Sequence, residues 1–217
     1  MEDSRKSKLF SDKKRQFNCP NCGGLLPRRF RYSKLVVCDH CRSILYLRRN
    51  SVDKLGTQAE LAEHPSLLKL YHRFRYRNLM LEPVGMLRYG YGRGFWEEWW
   101  CLESGGGGHW ISVDEGDFVI EEKQQGVSAD LPRPDALTVG GKIELLDARW
   151  TVTELGTATF QGLEGELPEV IDAKRSFRYA HLERPGRQII TLEYDEPAKP
   201  PDIYLGEWMD PFEIKDL

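Results

Sequence analysis

At 217 residues, with 40% hydrophobic residues and a formal net charge of -3, the chain is long enough for a small module and one or two cores. No apolar run approaches bilayer-spanning length and no signal-peptide pattern is present, so the sequence predicts a soluble, cytoplasmic protein. The charge is unevenly spread. Residues 1–49 carry 13 Lys and Arg against 4 Asp and Glu, and the remainder carries 18 against 30. A basic head on an acidic body points to an anionic partner for the head, to attraction between the halves, or to a solvated tail.

Residues 1–16 are polar and aperiodic and read as a disordered basic tail. Residues 17–50 hold Cys19-Pro20-Asn21-Cys22 and Cys38-Asp39-His40-Cys41. Two Cys-x-x-Cys knuckles at this spacing are the pattern of a structural zinc site, a zinc ribbon with Cys19, Cys22, Cys38 and Cys41 as ligands. Iron in a rubredoxin-like site is the competing metal, and two disulfides the competing chemistry. Gly23-Gly24 follow the first knuckle, where the chain must turn with positive φ, while Arg42 stands where a glycine would be easier after the second. Leu35-Val36-Val37 and Ile44-Leu45-Tyr46-Leu47 read as short strands. Four cysteines close the coordination shell, so the Zn2+ would hold structure and do no chemistry. His40 then has no ligand position, and Cys101 reads as a buried small hydrophobe.

From Val52 the pattern is β, with a first β unit over 52–125, a linker over 126–136 and a second β unit over 137–217. In the stretch Leu70–Arg77, arginines 73, 75 and 77 alternate with mostly apolar residues. In Gly94–Leu102, Trp96, Glu98 and Trp100 share one strand face, and Glu97, Trp99 and Cys101 the other. Both faces are largely apolar, so the sequence predicts an inner strand with Trp96, Glu98, Trp99 and Trp110 at the centre of the first unit. Ser104–Gly108 and Asp114–Asp117 read as turns, the latter with solvated carboxylates. The four glycines of the former lack a following Lys-Ser/Thr and do not make a phosphate loop. An offset of roughly 80 residues relates Leu55–Leu61 to Val139–Leu145, and Trp99–Ser112 to Tyr179–Leu192, which points to a diverged duplication of one β unit. The fold class is therefore mainly β: a small zinc ribbon with a core of its own, and then one or two small SH3-like or barrel-like antiparallel β units.

Trp96-Glu97-Glu98-Trp99 with Trp110, Glu164-Gly165-Glu166-Leu167-Pro168 and Ile190-Thr191-Leu192-Glu193-Tyr194 resemble a bacterial family defined only as a domain of unknown function, number 4178. The resemblance covers roughly Leu55–Leu217. The Cys19–Cys41 module is similar to a zinc ribbon that often precedes that domain. The family implies an architecture and no established activity. Arg42 and the insertion-like stretch His64–Arg77 depart from its pattern.

Three functions stand on these residues. The first is a non-catalytic binding protein, its ribbon docking a protein partner. The second is nucleic-acid binding, with Arg28, Arg29, Arg31, Lys34, Arg48 and Arg49 on phosphates. The third is an enzyme with a pocket around Glu98, which needs further polar groups converging there. Glu97 and Glu98 point to opposite faces and cannot act as a pair. A buried Glu98 needs a partner, for which Arg88, Arg93 or a hairpin N–H are the candidates.

Overall fold

The computed structural model describes residues 16–26, 29–57, 61–62, 64–92, 94–126, 131–172, 174–195 and 199–217. The tail 1–15, Arg28 and Arg93 lie outside the described residues. Among these, strands dominate and no α-helix occurs.

The N-terminal module holds β1 (Phe17–Asn18), β2 (Leu25–Leu26), β3 (Leu35–Val37), β4 (Ser43–Leu47) and β5 (Val52–Thr57). β1 and β2 form a hairpin across the first cysteine knuckle, and β3, β4 and β5 form an antiparallel sheet. Val52–Thr57, expected to open the first β unit, therefore belongs to the sheet of the cysteine module.

The body is built from two runs of five strands. The first is β6 (Phe74–Tyr76), β7 (Leu79–Tyr91), β8 (Gly94–Glu103), β9 (Gly108–Asp114) and β10 (Asp117–Lys123). The second is β11 (Lys142–Leu145), β12 (Ala148–Leu167), β13 (Ser176–Arg184), β14 (Gln188–Tyr194) and β15 (Asp202–Met209), and β16 (Ile214–Asp216) returns to β6. β7 to β10 form one antiparallel meander and β12 to β15 another. The meanders join at both edges, β10 to β15 and β7 to β12. These eight strands close into a single barrel, so the two halves share one lumen. Closure removes the exposed edges that each four-stranded sheet would otherwise present.

The joints explain the duplication pattern and correct part of it. β8 and β9 occupy the places of β13 and β14, which is the Trp99–Ser112 and Tyr179–Leu192 correspondence. β11 hairpins onto β12 as β6 hairpins onto β7. The counterpart of Val139–Leu145 is thus the β6 region and not Leu55–Leu61, because β5 pairs with β4.

The barrel is covered on its outer surface. Leu68, Phe74, Tyr76, Trp99, Cys101, Ile111 and Met209 form a core outside the first meander. Leu137, Leu145, Trp150, Leu182, Ile190 and Leu192 form the corresponding core outside the second. Residues 131–136, from the stretch 126–136 read from sequence as linker, supply part of that cover: Leu131 packs against it and Tyr194 Oη donates to the Pro132 carbonyl. Both faces of the central strands are consequently buried, one against the lumen and one against a strap.

The module is joined to the barrel rather than standing on a separate core. β3 pairs with the end of β12 through Val36 and Glu166. Leu35, Val37 and Ile44 then pack in one cluster with Leu87, Tyr89, Leu163 and Leu167. Only the other face of the module has its own core, around Cys19, Leu26, Val36, Cys38 and Leu45.

The β7–β12 joint requires two glycines. Gly85 opposes Gly165, whose φ is +68°, and a Cβ on Gly85 would stand 2.1 Å from the Glu166 carbonyl oxygen. Backbone cannot yield as a flexible side chain can. Gly85→Ala should therefore lower stability by about 1–3 kcal/mol or more by forcing the joint apart, read as a reduced denaturant midpoint. An unchanged midpoint would show that the joint is dispensable.

Candidate functional site

The four thiols meet as the knuckle spacing requires. Cys19 Sγ lies 3.6 Å from Cys41 Sγ, Cys22 Sγ lies 3.7 Å from Cys38 Sγ, and all four sulfurs lie within 4.8 Å of one another. These separations exceed a disulfide bond and approach the roughly 3.8 Å edge of a tetrahedron with 2.3 Å metal–sulfur bonds. The cluster is compatible with a metal ion. The backbone N–H groups of His40 and Cys41 point to the Cys38 sulfur, and that of Gly24 to Cys22. Hydrogen bonds from the Ser43 and Asn21 side chains hold the Cys41 thiol down, at about 5, which favours a thiolate. Gly23 turns at φ +75° and Arg42 at φ +58°. Arg42 reaches β12 from that strained position, its Nη2 3.0 Å from Glu164 Oε1.

The basic residues of the module are largely engaged with the protein itself. The Arg29 backbone N–H donates to both carboxylate oxygens of buried Glu166, at 2.7 and 3.0 Å, and its guanidinium lies 3.6 Å above the Tyr71 ring. Arg48 pairs with Asp53 and lies over Tyr46. Arg31 lies over Tyr32, while Lys34 and Arg49 are exposed. In the arginine stripe beyond Leu70, Arg73 pairs with Glu82, and Arg77 with Glu207 and Glu213.

A second site lies in the barrel lumen, a cavity of about 220 Å³. The pleat of β8 turns Trp96 and Glu98 inward and Trp99 outward, where it joins the outer core. Trp110 faces inward below the cavity and packs on Trp100, ring centroids 5.2 Å apart. Arg88 does not serve Glu98. It lies on the outer face, where its Nη2 is 2.6 Å from Glu97 Oε1, and both residues are buried. Glu97 also accepts from Trp99 Nε1.

Glu98 instead accepts from Trp96 Nε1 at 3.0 Å, and its remaining exposure faces the cavity. Two further buried carboxylates converge on the same volume. Glu121 on β10 accepts from the Ser112 and Thr191 hydroxyls, at 3.1 and 2.6 Å. Glu193 on β14 accepts from Arg175 at 2.6 Å. Burial pushes Glu98 well above the ordinary carboxylate range, with Glu193 adding repulsion. It raises Glu121 likewise, and takes Glu193 to about 7 against the pull of Arg175.

The exposed lining residues Glu115, Asp117 and Glu154 mark the mouth. There Glu154 accepts from Tyr179 Oη at 2.7 Å and faces His181 Nδ1 at 3.0 Å, and Asp114 accepts from Tyr91 Oη at 2.8 Å. Asp114, read from sequence as solvated, is partly buried and its carboxyl is raised. The mouth and the cysteine module lie toward opposite ends of β12, at Glu154 and Leu167, so the module packs across the far end of the lumen. Sequence reasoning singled out Glu98 and missed Glu121 and Glu193. The signal for Glu193 was its place between apolar residues in Ile189–Tyr194, where an acid must either pair or line a cavity.

Fold and site together define a β-barrel protein with a polar, acid-lined lumen and a four-cysteine module closing one end. The chain belongs to the family described as Domain of unknown function (DUF4178), whose model matches residues 73–211. The match begins at β6, ends just past β15 and excludes the cysteine module. No curated protein and no solved structure matches the chain.

The lumen carboxylates make stability depend on pH. A carboxyl whose folded pKa lies above its unfolded value near 4.5 favours the native state only while protonated. Its contribution is present below that unfolded value and is lost as pH rises through the folded one, which Glu193 reaches at about 7. Glu121→Gln keeps hydrogen bonds to two hydroxyls and removes the charge. Its melting temperature should exceed that of the wild type by a few degrees at pH 8, with the difference shrinking toward pH 5. A difference independent of pH would mean that Glu121 titrates normally.

Proposed function

We propose that this protein is a non-catalytic binding protein whose lumen around Glu98 takes a small ligand. In this reading the cysteine module carries a structural zinc ion and docks a protein partner in the cytoplasm. The observation that carries the ligand reading is the convergence of Glu98, Glu121 and Glu193 with aromatic walls on one enclosed cavity. Concave sites with a few convergent polar groups are where small molecules bind. Free, clustered thiols fit a reducing compartment, and a closed all-sulfur donor set fits zinc in a structural role. Exposed Leu25, Tyr32 and Leu55 on the module support protein docking. Nucleic-acid binding is less favoured, because Arg29 and Arg48 have internal partners.

A catalytic reading is the second, favoured by the raised carboxyl of Glu98 within reach of a cavity. The two are separated by whether a bound compound is recovered unchanged.

Two measurements test the proposal. Metal analysis of reduced protein should give about one zinc per chain, and chelation should lower the melting temperature of the barrel as well as the module, because Leu35, Val37 and Ile44 share the barrel's core. Iron in place of zinc, or no metal, overturns the zinc assignment. For the lumen, the indole N–H signals of a 15N-labelled sample act as internal reporters. Trp96 and Trp208 line the cavity, while Trp150 lies outside the barrel with its N–H on the Leu145 carbonyl. Lumen ligands from a small-molecule set should shift the first two signals and leave the third. A set that shifts none, or chiefly Trp150, overturns the reading.

A further inference from the structure

Resting on the lumen reading, we propose that the ligand is a small organic cation, a protonated amine, held between the lumen carboxylates and the aromatic wall. The first support is charge. Facing the cavity are Glu98 from β8, Asp114 from β9, Glu121 from β10, Glu154 from β12 and Glu193 from β14, with Glu115 and Asp117 at the rim. The basic groups near them are His181, whose ring faces Glu154, and Arg175, which bonds Glu193 and Asp195 and lies 4.1 Å over Phe177. Both already have acidic partners. The excess of acid over base in a low-dielectric space favours an incoming positive charge.

Hydrogen-bond capacity points the same way. Once ionised, carboxylates only accept. Most of the wall's own side-chain donors are engaged: Ser112 and Thr191 with Glu121, Trp96 with Glu98, Tyr179 with Glu154, while among the described residues the Trp208 indole N–H is left for a ligand acceptor. The indole N–H of Trp100, which has no partner among the described residues, lies outside the cavity lining. An anion or a carbonyl would meet more acceptors, whereas an ammonium group brings donors.

A bare metal ion fits less well. Among the described residues, the four cysteines are the group whose ligand atoms gather within one coordination sphere. The lumen acids are spread around a space of about 220 Å³, equal to about seven water molecules. That suits a molecule of several heavy atoms. Trp96, Phe177, Tyr179 and Trp208 line the same space, and aromatic rings attract organic cations. Protons and the amine compete for the same carboxylates, so affinity should rise with pH through the range in which Glu193 ionises.

The test uses the full-length chain and three matched probes: n-butylammonium, n-butanol and n-butyrate. Each is titrated at pH 5.5 and pH 8 while the indole signals of Trp96, Trp208 and Trp150 are followed. The amine should shift Trp96 and Trp208 saturably, more tightly at pH 8. Glu98→Gln and Glu121→Gln should each weaken it about tenfold or more, with an unmoved Trp150 signal reporting that the barrel is intact. Equal or tighter binding of the alcohol or the carboxylate at the same indoles overturns the cation assignment and leaves the lumen reading standing. If none of the probes moves the lumen indoles, both fall. Amine binding insensitive to pH and to both substitutions places it outside the lumen and overturns the proposal.

Discussion

The structure depends on β12 serving four neighbours in turn. Along its length it pairs with β11, β13, β7 and finally β3. The first pairing places a strap on the outer surface, the second builds the second meander, the third closes the barrel, and the last fixes the cysteine module. A strand can pass from one neighbour to the next only by coiling, and register breaks near Thr153 and Gln161 provide the extra twist. Gly165 then lets β7 approach closely where the barrel shuts. On β7 the corresponding break falls at Val84, next to Pro83, which has no N–H to leave unpaired beside it.

Burial on both faces accounts for the composition of these strands. The straps require an apolar outer surface on each meander, as on Trp99, Cys101 and Ile111 in one and Leu182, Ile190 and Leu192 in the other. Several polar groups of the barrel strands are directed to the lumen, while on the outer face the Arg88–Glu97 pair neutralises itself. A lumen crossed by aromatic rings has gaps that close packing alone does not fill, and carboxylates occupy its wall. That arrangement costs stability, since burial raises the carboxyls of Glu98 and Glu121. Groups that destabilise a fold and converge on one cavity are characteristic of sites kept for binding or chemistry.

The cysteine cluster was legible because its chemistry is local: two knuckles and a hairpin bring four sulfurs together without reference to the rest of the chain. The β character of the body was legible from alternation, and the relation of Trp99–Ser112 to Tyr179–Leu192 survives because equivalent positions in two meanders meet equivalent neighbours. The Leu55–Leu61 correspondence failed for the opposite reason. A short Leu-Gly-polar pattern is compatible with any edge hairpin, and its partner is settled by tertiary pairing. Glu121 and Glu193 were hidden for the same cause: period two states that a residue shares a face with its second neighbour, but not which face encloses a cavity.

The junction between module and barrel shows how a local cost is retained. Arg42 adopts a left-handed conformation that costs a non-glycine residue roughly 1–2 kcal/mol. Its partly exposed ion pair with Glu164 returns less than about 1 kcal/mol. Energy at that one position therefore does not explain why arginine stands there. The stronger tie is Glu166, fully buried, with both oxygens on the Arg29 N–H. Glu164 and Glu166 flank Gly165 at the joint that closes the barrel, so these contacts fix the module at the place where β7 meets β12. Arg42 and Glu166 thus set the orientation of a sheet whose inner face, through Leu35 and Val37, completes the core at the far end of the lumen. The four-cysteine module carries that sheet, and in this way cysteines remote from the mouth help to shape the cavity behind it.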